Sequence, residues 1–250
     1  MKNLPQFMEY PVLIKILKKE YVDDLLDGNL YMNNLKYFVD LEKETGIAGV
    51  GDIREASLIN IRKHRLFIQI EGEEKQEIEL GPPPGVIYDD EALYHPVFCC
   101  MGKVLKLQKA TNTNEYMGTF KLAEENLVDF IGNNMDAYRA IMILDVPAFL
   151  DRIYKTASQN NICGKHGFIN YRNRNVPNIQ NGQWILDDTF TKDTRFKNQL
   201  EFRIELFLRS EKPYIMNIGN IRDLVISVDC EKLISSEFSL IQTVYPEKPE

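Results

Sequence analysis

The chain reads as an α+β protein: a strand-rich mixed sheet core with short flanking helices. Three observations predict it. The segment Phe190–Leu208 (FTKDTRFKNQLEFRIELFL) ends in strict alternation, with Leu200, Phe202, Ile204 and Leu206 on one side and Gln199, Glu201, Arg203 and Glu205 on the other. Short apolar runs recur at Pro11–Leu17, His95–Val104 and Asp136–Val146, while helical spacing is confined to brief stretches. With 250 residues, 44% of them hydrophobic, the chain has enough apolar surface for one substantial core, so residues 1–250 are expected to form a single elaborated domain.

The elements follow in order. Pro11–Leu17 (PVLIKIL) is bounded by proline and rich in branched residues, which predicts a buried first strand with Lys15 at its centre. Lys18–Gly28 places Tyr21, Val22, Leu25 and Leu26 at helical spacing, and Gly28 suits the position just past a helix end. Asn29–Phe38 opens with a short strand, LYM, and runs into Tyr37–Phe38. Val39–Ala56, with glycines at 46, 49 and 51, reads as an acidic loop ending in Asp52-Ile-Arg-Glu55. Its G-x-x-G-x-G order is neither a dinucleotide fingerprint nor a P-loop.

Residues 57–80 alternate like a meander around a polar turn at Gly72, and GPPPG at 81–85 is a strong breaker. The region 57–85 therefore reads as an inserted hairpin. His95–Val104 is expected to be a central strand, Lys121–Phe130 a helix, Asp136–Val146 a strand, and Pro147–Ser158 a helix with proline in its first turn. Phe168–Arg172 reads as a short strand, 173–184 as a long loop, and IMNIGNIRDLVISVD as strand, turn and strand.

Charge and composition narrow the function classes. A net charge of −7 argues against a general nucleic-acid coat. No run approaches the roughly 18 apolar residues of a membrane span, and MKNLPQFMEYP lacks the apolar region of a signal peptide. The expectation is a cytoplasmic protein with no membrane partner. The four cysteines (Cys99, Cys100, Cys163, Cys230) lack motif spacing, and adjacent Cys99 and Cys100 point to opposite faces of a strand.

No Ser-His-Asp or G-x-S-x-G pattern is present. Cys163-Gly-Lys-His166 is a C-x-x-H pair without the second pair that zinc needs. Asp52 and Glu55 admit a metal-dependent nuclease as a distant alternative, although their i,i+3 spacing is common.

Four blocks recur in order: LIKIL with its central basic residue, LYMNNLKYF leading to GDIREA, the VFCC strand, and a Phe/Lys approach into Q-x-E-x-R. As an ordered set they resemble bacterial proteins of the ADP-ribosyltransferase-like fold, over roughly residues 11–56, 95–104 and 186–225. The resemblance implies NAD as substrate. Glu201 takes the position of the glutamate that holds the nicotinamide-ribose hydroxyls, and Gln199 that of the residue orienting the acceptor. Lys15 falls where the family has Arg or His against NAD. Tyr31 and Tyr37 fall where an aromatic wall would lie, with Asp52, Glu55 and Arg203 completing the cofactor-binding set.

The chemistry is consistent with those residue types. Breaking the glycosidic bond develops positive charge on the ribose, which a fixed carboxylate stabilises selectively. The implied function is an NAD-dependent ADP-ribosyltransferase-like toxin or defence effector that transfers ADP-ribose to a macromolecular acceptor or hydrolyses NAD, and whether a neutralising partner protein accompanies it stays open. Three features depart from the pattern: Lys15 replaces Arg or His, no Ser-Thr-Ser triplet follows on a second strand, and Arg203 shares a face with Glu201 and can pair with it. The alternative is a catalytically inert module that binds a nucleotide or a protein.

Overall fold

The computed structural model describes residues 5–45, 51–60, 66–78, 86–111, 113–127, 131, 134–176, 178–181 and 183–244. Two expected features, the glycines at 46 and 49 and the GPPPG breaker, lie outside them. The architecture is mixed α+β, dominated by an antiparallel sheet with few and short helices.

The chain enters on β1 (Phe7–Lys18), longer at both ends than PVLIKIL alone predicts. After a 3₁₀ turn comes α1 (Val22–Leu26), only five residues long. Gly28 follows at φ +90° and packs so closely on Gly219 that any Cβ would overlap the Gly219 carbonyl oxygen, so the expectation for that residue holds for a tertiary reason as well. Next is β2 (Asn29–Asn34), then α2 (Leu35–Thr45), which corrects the expected loop. Asn34 starts that helix by accepting a hydrogen bond from the Tyr37 amide at 2.9 Å, an N-cap that the run NNLKYF hides.

The strands β3 (Ser57–Asn60), β4 (Leu66–Ile68), β5 (Gln76–Ile78) and β6 (Val86–Tyr88) form two separate pairs, β3 with β6 and β4 with β5. The sheet resumes with β7 (Pro96–Lys109), β8 (Glu115–Phe120) and β9 (Tyr138–Ile143). Between the last two, Lys121–Phe130 is not the expected helix over its described part but a 3₁₀ turn at Glu124–Asn126. The amphipathic α3 (Val146–Gln159) is capped by Asp145, whose side chain accepts from the Ala148 amide at 3.0 Å.

Then come β10 (Gly164–Phe168), β11 (Asn170–Arg172), β12 (Ile179–Gln180), β13 (Gln183–Trp184) and β14 (Thr191–Asp193). The chain closes with β15 (Glu201–Leu206), β16 (Tyr214–Asn217), β17 (Val225–Asp229), α4 (Cys230–Ser235) and β18 (Phe238–Thr243).

The large sheet runs β10-β15-β7-β1-β9-β17, with β2 and β8 also pairing on β7. Its two faces bury separate apolar cores. On one, Leu13, Phe98, Phe202 and Ile204 pack against Phe149 and Ile153 of α3. On the other, Ile14, Leu107, Tyr116 and Met142 pack with Leu233 of α4. A third, small cluster of Leu35, Ala56, Ala92 and Val97 lies beside the polar face of β15. No helix among the described residues is long and apolar enough to cross a membrane.

Candidate functional site

The alternating strand is where charge collects. Paired on one side with β7 and on the other with the edge strand β10, β15 is an internal strand of the sheet, and all six of its residues are buried. The sequence pattern predicts one wet face and one dry face. Here the polar face is covered as well, by the turn 51–57 and by the segment that carries the parallel pair β11–β14.

Beneath that cover, Glu201 and Arg203 meet Glu55 from the turn and Lys192 from β14. The Arg203 guanidinium donates to both Glu55 oxygens, at 2.9 and 2.8 Å, and through Nε to Glu201 Oε1 at 2.7 Å. The Lys192 ammonium donates to Glu201 Oε2 at 2.8 Å and lies 3.2 Å from Glu55 Oε1. Two anions and two cations thus form a closed square with each carboxylate touching both cations. The Glu201 amide donates to the Tyr171 hydroxyl at 2.7 Å.

Burial by itself raises the pKa of Glu201, but Arg203 and then Lys192 outweigh it and hold the carboxyl down at about 2. Glu55 is lowered by the same contest between burial and the two cations. Lys192 and Arg203 are raised, the two carboxylates overcoming the desolvation that opposes them. All four side chains are therefore ionised across the physiological range.

Gln199 joins the cluster by another route than the alternation suggests. It ends the 3₁₀ turn Thr194–Gln199, and Leu200 then takes a left-handed φ of 48° before the strand begins at Glu201. Gln199 accepts from Lys192 Nζ at 3.2 Å. A non-glycine residue in that conformation costs on the order of 1 kcal/mol, so the turn is held by its surroundings.

Asp52 is fully buried, and its Oδ2 has no hydrogen-bond partner among the described residues. Burial first, and the charge of Glu55 second, raise its pKa.

The remaining expected site residues lie elsewhere. Lys15 alternates with Leu13 on the α3 side of the sheet. There its ammonium donates to the Cys99 carbonyl at 2.6 Å and sits 4.7 Å above the Phe98 ring. Since Phe202 and Ile204 occupy that side, Glu201 and Arg203 point to the opposite one. Tyr31 is exposed on β2, and Tyr37 lines a groove with Asn33, Lys36, Asp40 and Tyr94. The structure thus unites Asp52, Glu55, Gln199, Glu201 and Arg203, and leaves Lys15, Tyr31 and Tyr37 apart.

Other candidate chemistries meet physical limits. The Cys99 thiol is pushed well up by burial and then by Glu201, so it stays protonated rather than serving as a nucleophile. Among the described residues no group of three or more His, Cys, Asp or Glu side chains is arranged to hold a metal ion.

Two features escaped the sequence. One is Arg174, buried inside the expected loop, which donates to Asp187 at 3.0 Å and to the Arg54 and Ser57 carbonyls at 2.7 and 2.6 Å. The other is a cleft of about 220 Å³ beside Glu205, lined by His95, Lys165 and Thr189. Its only signal in the sequence was that Glu205 continues the polar series. No family model, no curated protein and no solved structure matches the chain.

Proposed function

We propose that the chain is a binding module on an ADP-ribosyltransferase-like plan, in which the Q-x-E-x-R strand is an ionic lock and does not cleave NAD. The observation that supports this is the saturation of Glu201: one oxygen is held by Arg203, the other by Lys192, and its side chain is 7% exposed. A carboxylate that is to stabilise a developing ribosyl cation needs an unobstructed approach; this one already faces two fixed cations. Arg203 and Lys192 are likewise committed to Glu55 and Glu201, so the lock offers no free charge to NAD, and a nucleotide or protein partner would meet the chain outside it.

A second reading, NAD-dependent ADP-ribosyl transfer by a toxin or defence effector, is favoured by a different observation. Asp52 and Glu55 lie about 150 residues from Gln199, Glu201 and Arg203 in sequence, yet the chain brings both blocks into one cluster of perturbed carboxyls. Incubating the protein with NAD while following nicotinamide release and melting temperature separates the two. The lock predicts no release, with or without a thermal shift. Release that disappears in Glu201→Gln, with that variant still folded, establishes the second reading instead.

A further inference from the structure

We propose that the cleft at the far end of β15 is a hydrolytic site for small neutral or cationic esters, with His95 as the proton acceptor and Glu205 as its positioning residue. The inference goes beyond the reading of Glu201 and does not depend on it, because the cleft uses none of the four locked side chains.

Glu205 has a side chain only 1% exposed, and its carboxylate is fixed from three directions. Thr189 Oγ1 donates to Oε2 at 2.5 Å, Lys165 Nζ lies 3.5 Å from the same oxygen, and His95 Nδ1 is 2.7 Å from Oε1. An ionised carboxylate can only accept, so the proton of a neutral imidazole must sit on Nδ1 and the lone pair on Nε2. Nε2 has no protein partner among the described residues, and His95 lines the cleft. An imidazole held in one tautomer by a carboxylate beside an open volume meets the geometric requirement for a general base. The Phe207 ring, 5.5 Å from that of His95, and the side chains of Ala56, Leu58 and Ala92 supply an apolar wall.

Charge selects the substrate. The charged groups that line the cleft with His95 are Glu205, Lys165 from β10, Asp188 from the segment before β14, and Asp89 from the turn after β6. Asp187 also lines the cleft but is matched by Arg172 and Arg174, at 2.6 and 3.0 Å. Three carboxylates against one ammonium disfavour a phosphate or carboxylate ester, and a volume near 220 Å³ admits only a small acyl group and its alcohol. In the reaction, water attacks the acyl carbon as one of its protons passes to His95 Nε2, forming the new C–O bond. Collapse of the tetrahedral adduct breaks the bond to the alcohol, which takes that proton from the imidazolium, and the Lys165 ammonium stabilises the transient oxyanion.

The test uses the full chain with p-nitrophenyl acetate, acetylthiocholine and p-nitrophenyl phosphate. Saturable turnover of the two acetyl esters is expected, with none of the phosphate. The rate should fall at least tenfold in His95→Asn. Lys15→Met, on the opposite face of the sheet, should leave it unchanged. Glu205 orients the imidazole without touching substrate, so Glu205→Gln should lower kcat with KM unchanged and Glu205→Asp should restore part of it; a purely structural Glu205 would not give that split. Turnover equal in wild type and His95→Asn, no ester turnover above that of heat-denatured protein, or preference for the phosphate ester would each overturn the proposal.

Discussion

Glu201 and Glu205 sit on one strand, on one face, with Arg203 between them, and both side chains are nearly sealed from solvent. Their neighbourhoods differ in kind. Glu201 meets two permanent cations that nothing can titrate away near neutrality. Glu205 meets a hydroxyl, an imidazole and a half-exposed lysine whose other partner is Asp188 at 3.7 Å. The first arrangement is electrostatically closed. The second passes its charge to a group that opens on a cleft. What a buried carboxylate can do is set less by its own exposure than by whether its partners are committed or free.

The sharpest way to break that contrast is to unbalance the lock. Arg203→Met leaves Glu201 and Glu55 buried with only Lys192 between them, and an uncompensated buried charge of this kind costs about 3–5 kcal/mol. Denaturant unfolding should show that loss as a lower midpoint. A change below about 1 kcal/mol would mean that the square opens in solution and that the two carboxylates are less different than the structure has them.

Lys15→Met comes next in size. The ammonium makes one hydrogen bond to a backbone carbonyl and covers the Phe98 ring, so a loss of about 1 kcal/mol is expected in the same measurement. Neither the lock nor the cleft should respond. A shift in ligand binding on this substitution would place Lys15 with the functional residues after all.

Asp52→Asn should have the smallest effect and the opposite sign. Its folded-state pKa is raised, by burial and then by Glu55. The stability this contributes is present below the unfolded carboxyl value and lost as pH rises through the folded one. Once ionised, the buried Asp52 carboxylate is therefore a burden. The amide keeps an acceptor for the Arg54 amide, whose nitrogen now lies 2.9 Å from Oδ1, so the variant should be neutral or more stable by up to about 1 kcal/mol. A marked loss would show that Oδ2 has a partner in solution.

Much of the sheet was legible because apolar alternation is a local property. The strands around Pro11–Leu17, His95–Val104 and Asp136–Val146 and the helix after Asp145 appear where period and capping place them. The helix Leu35–Thr45 was not legible, since its start depends on the Asn34 side chain and the glycines that follow it drew the whole stretch toward a loop. Of the site, only the family resemblance grouped Glu55 with Glu201 and Arg203; the residues themselves, a charged loop end and a distant strand, gave no sign that they meet. The face on which Lys15 lies was not legible, because alternation gives the two faces of a strand but not which one a distant strand shares. Nor was the burial of the polar face readable, since the cover is built by Arg174, Asp187 and Lys192 from a segment whose Asn, Pro and Gly content suggests only a loop.

The central claim is that Glu201 is a structural anion, and the unfolding free energy of wild type and Glu201→Gln as a function of pH tests it most directly. With a folded pKa near 2 against an ordinary value of 4.5, Glu201 contributes stability that is present above 4.5 and lost as pH falls through 2. By linkage this amounts to roughly 3 kcal/mol. Wild type should therefore lose stability steeply between pH 4.5 and 2, while Glu201→Gln should be less stable at pH 7 and lose less over that acid range. If the two proteins are equally stable at pH 7 and share one acid profile, the carboxylate is not held by Arg203 and Lys192, and Glu201 is free for chemistry.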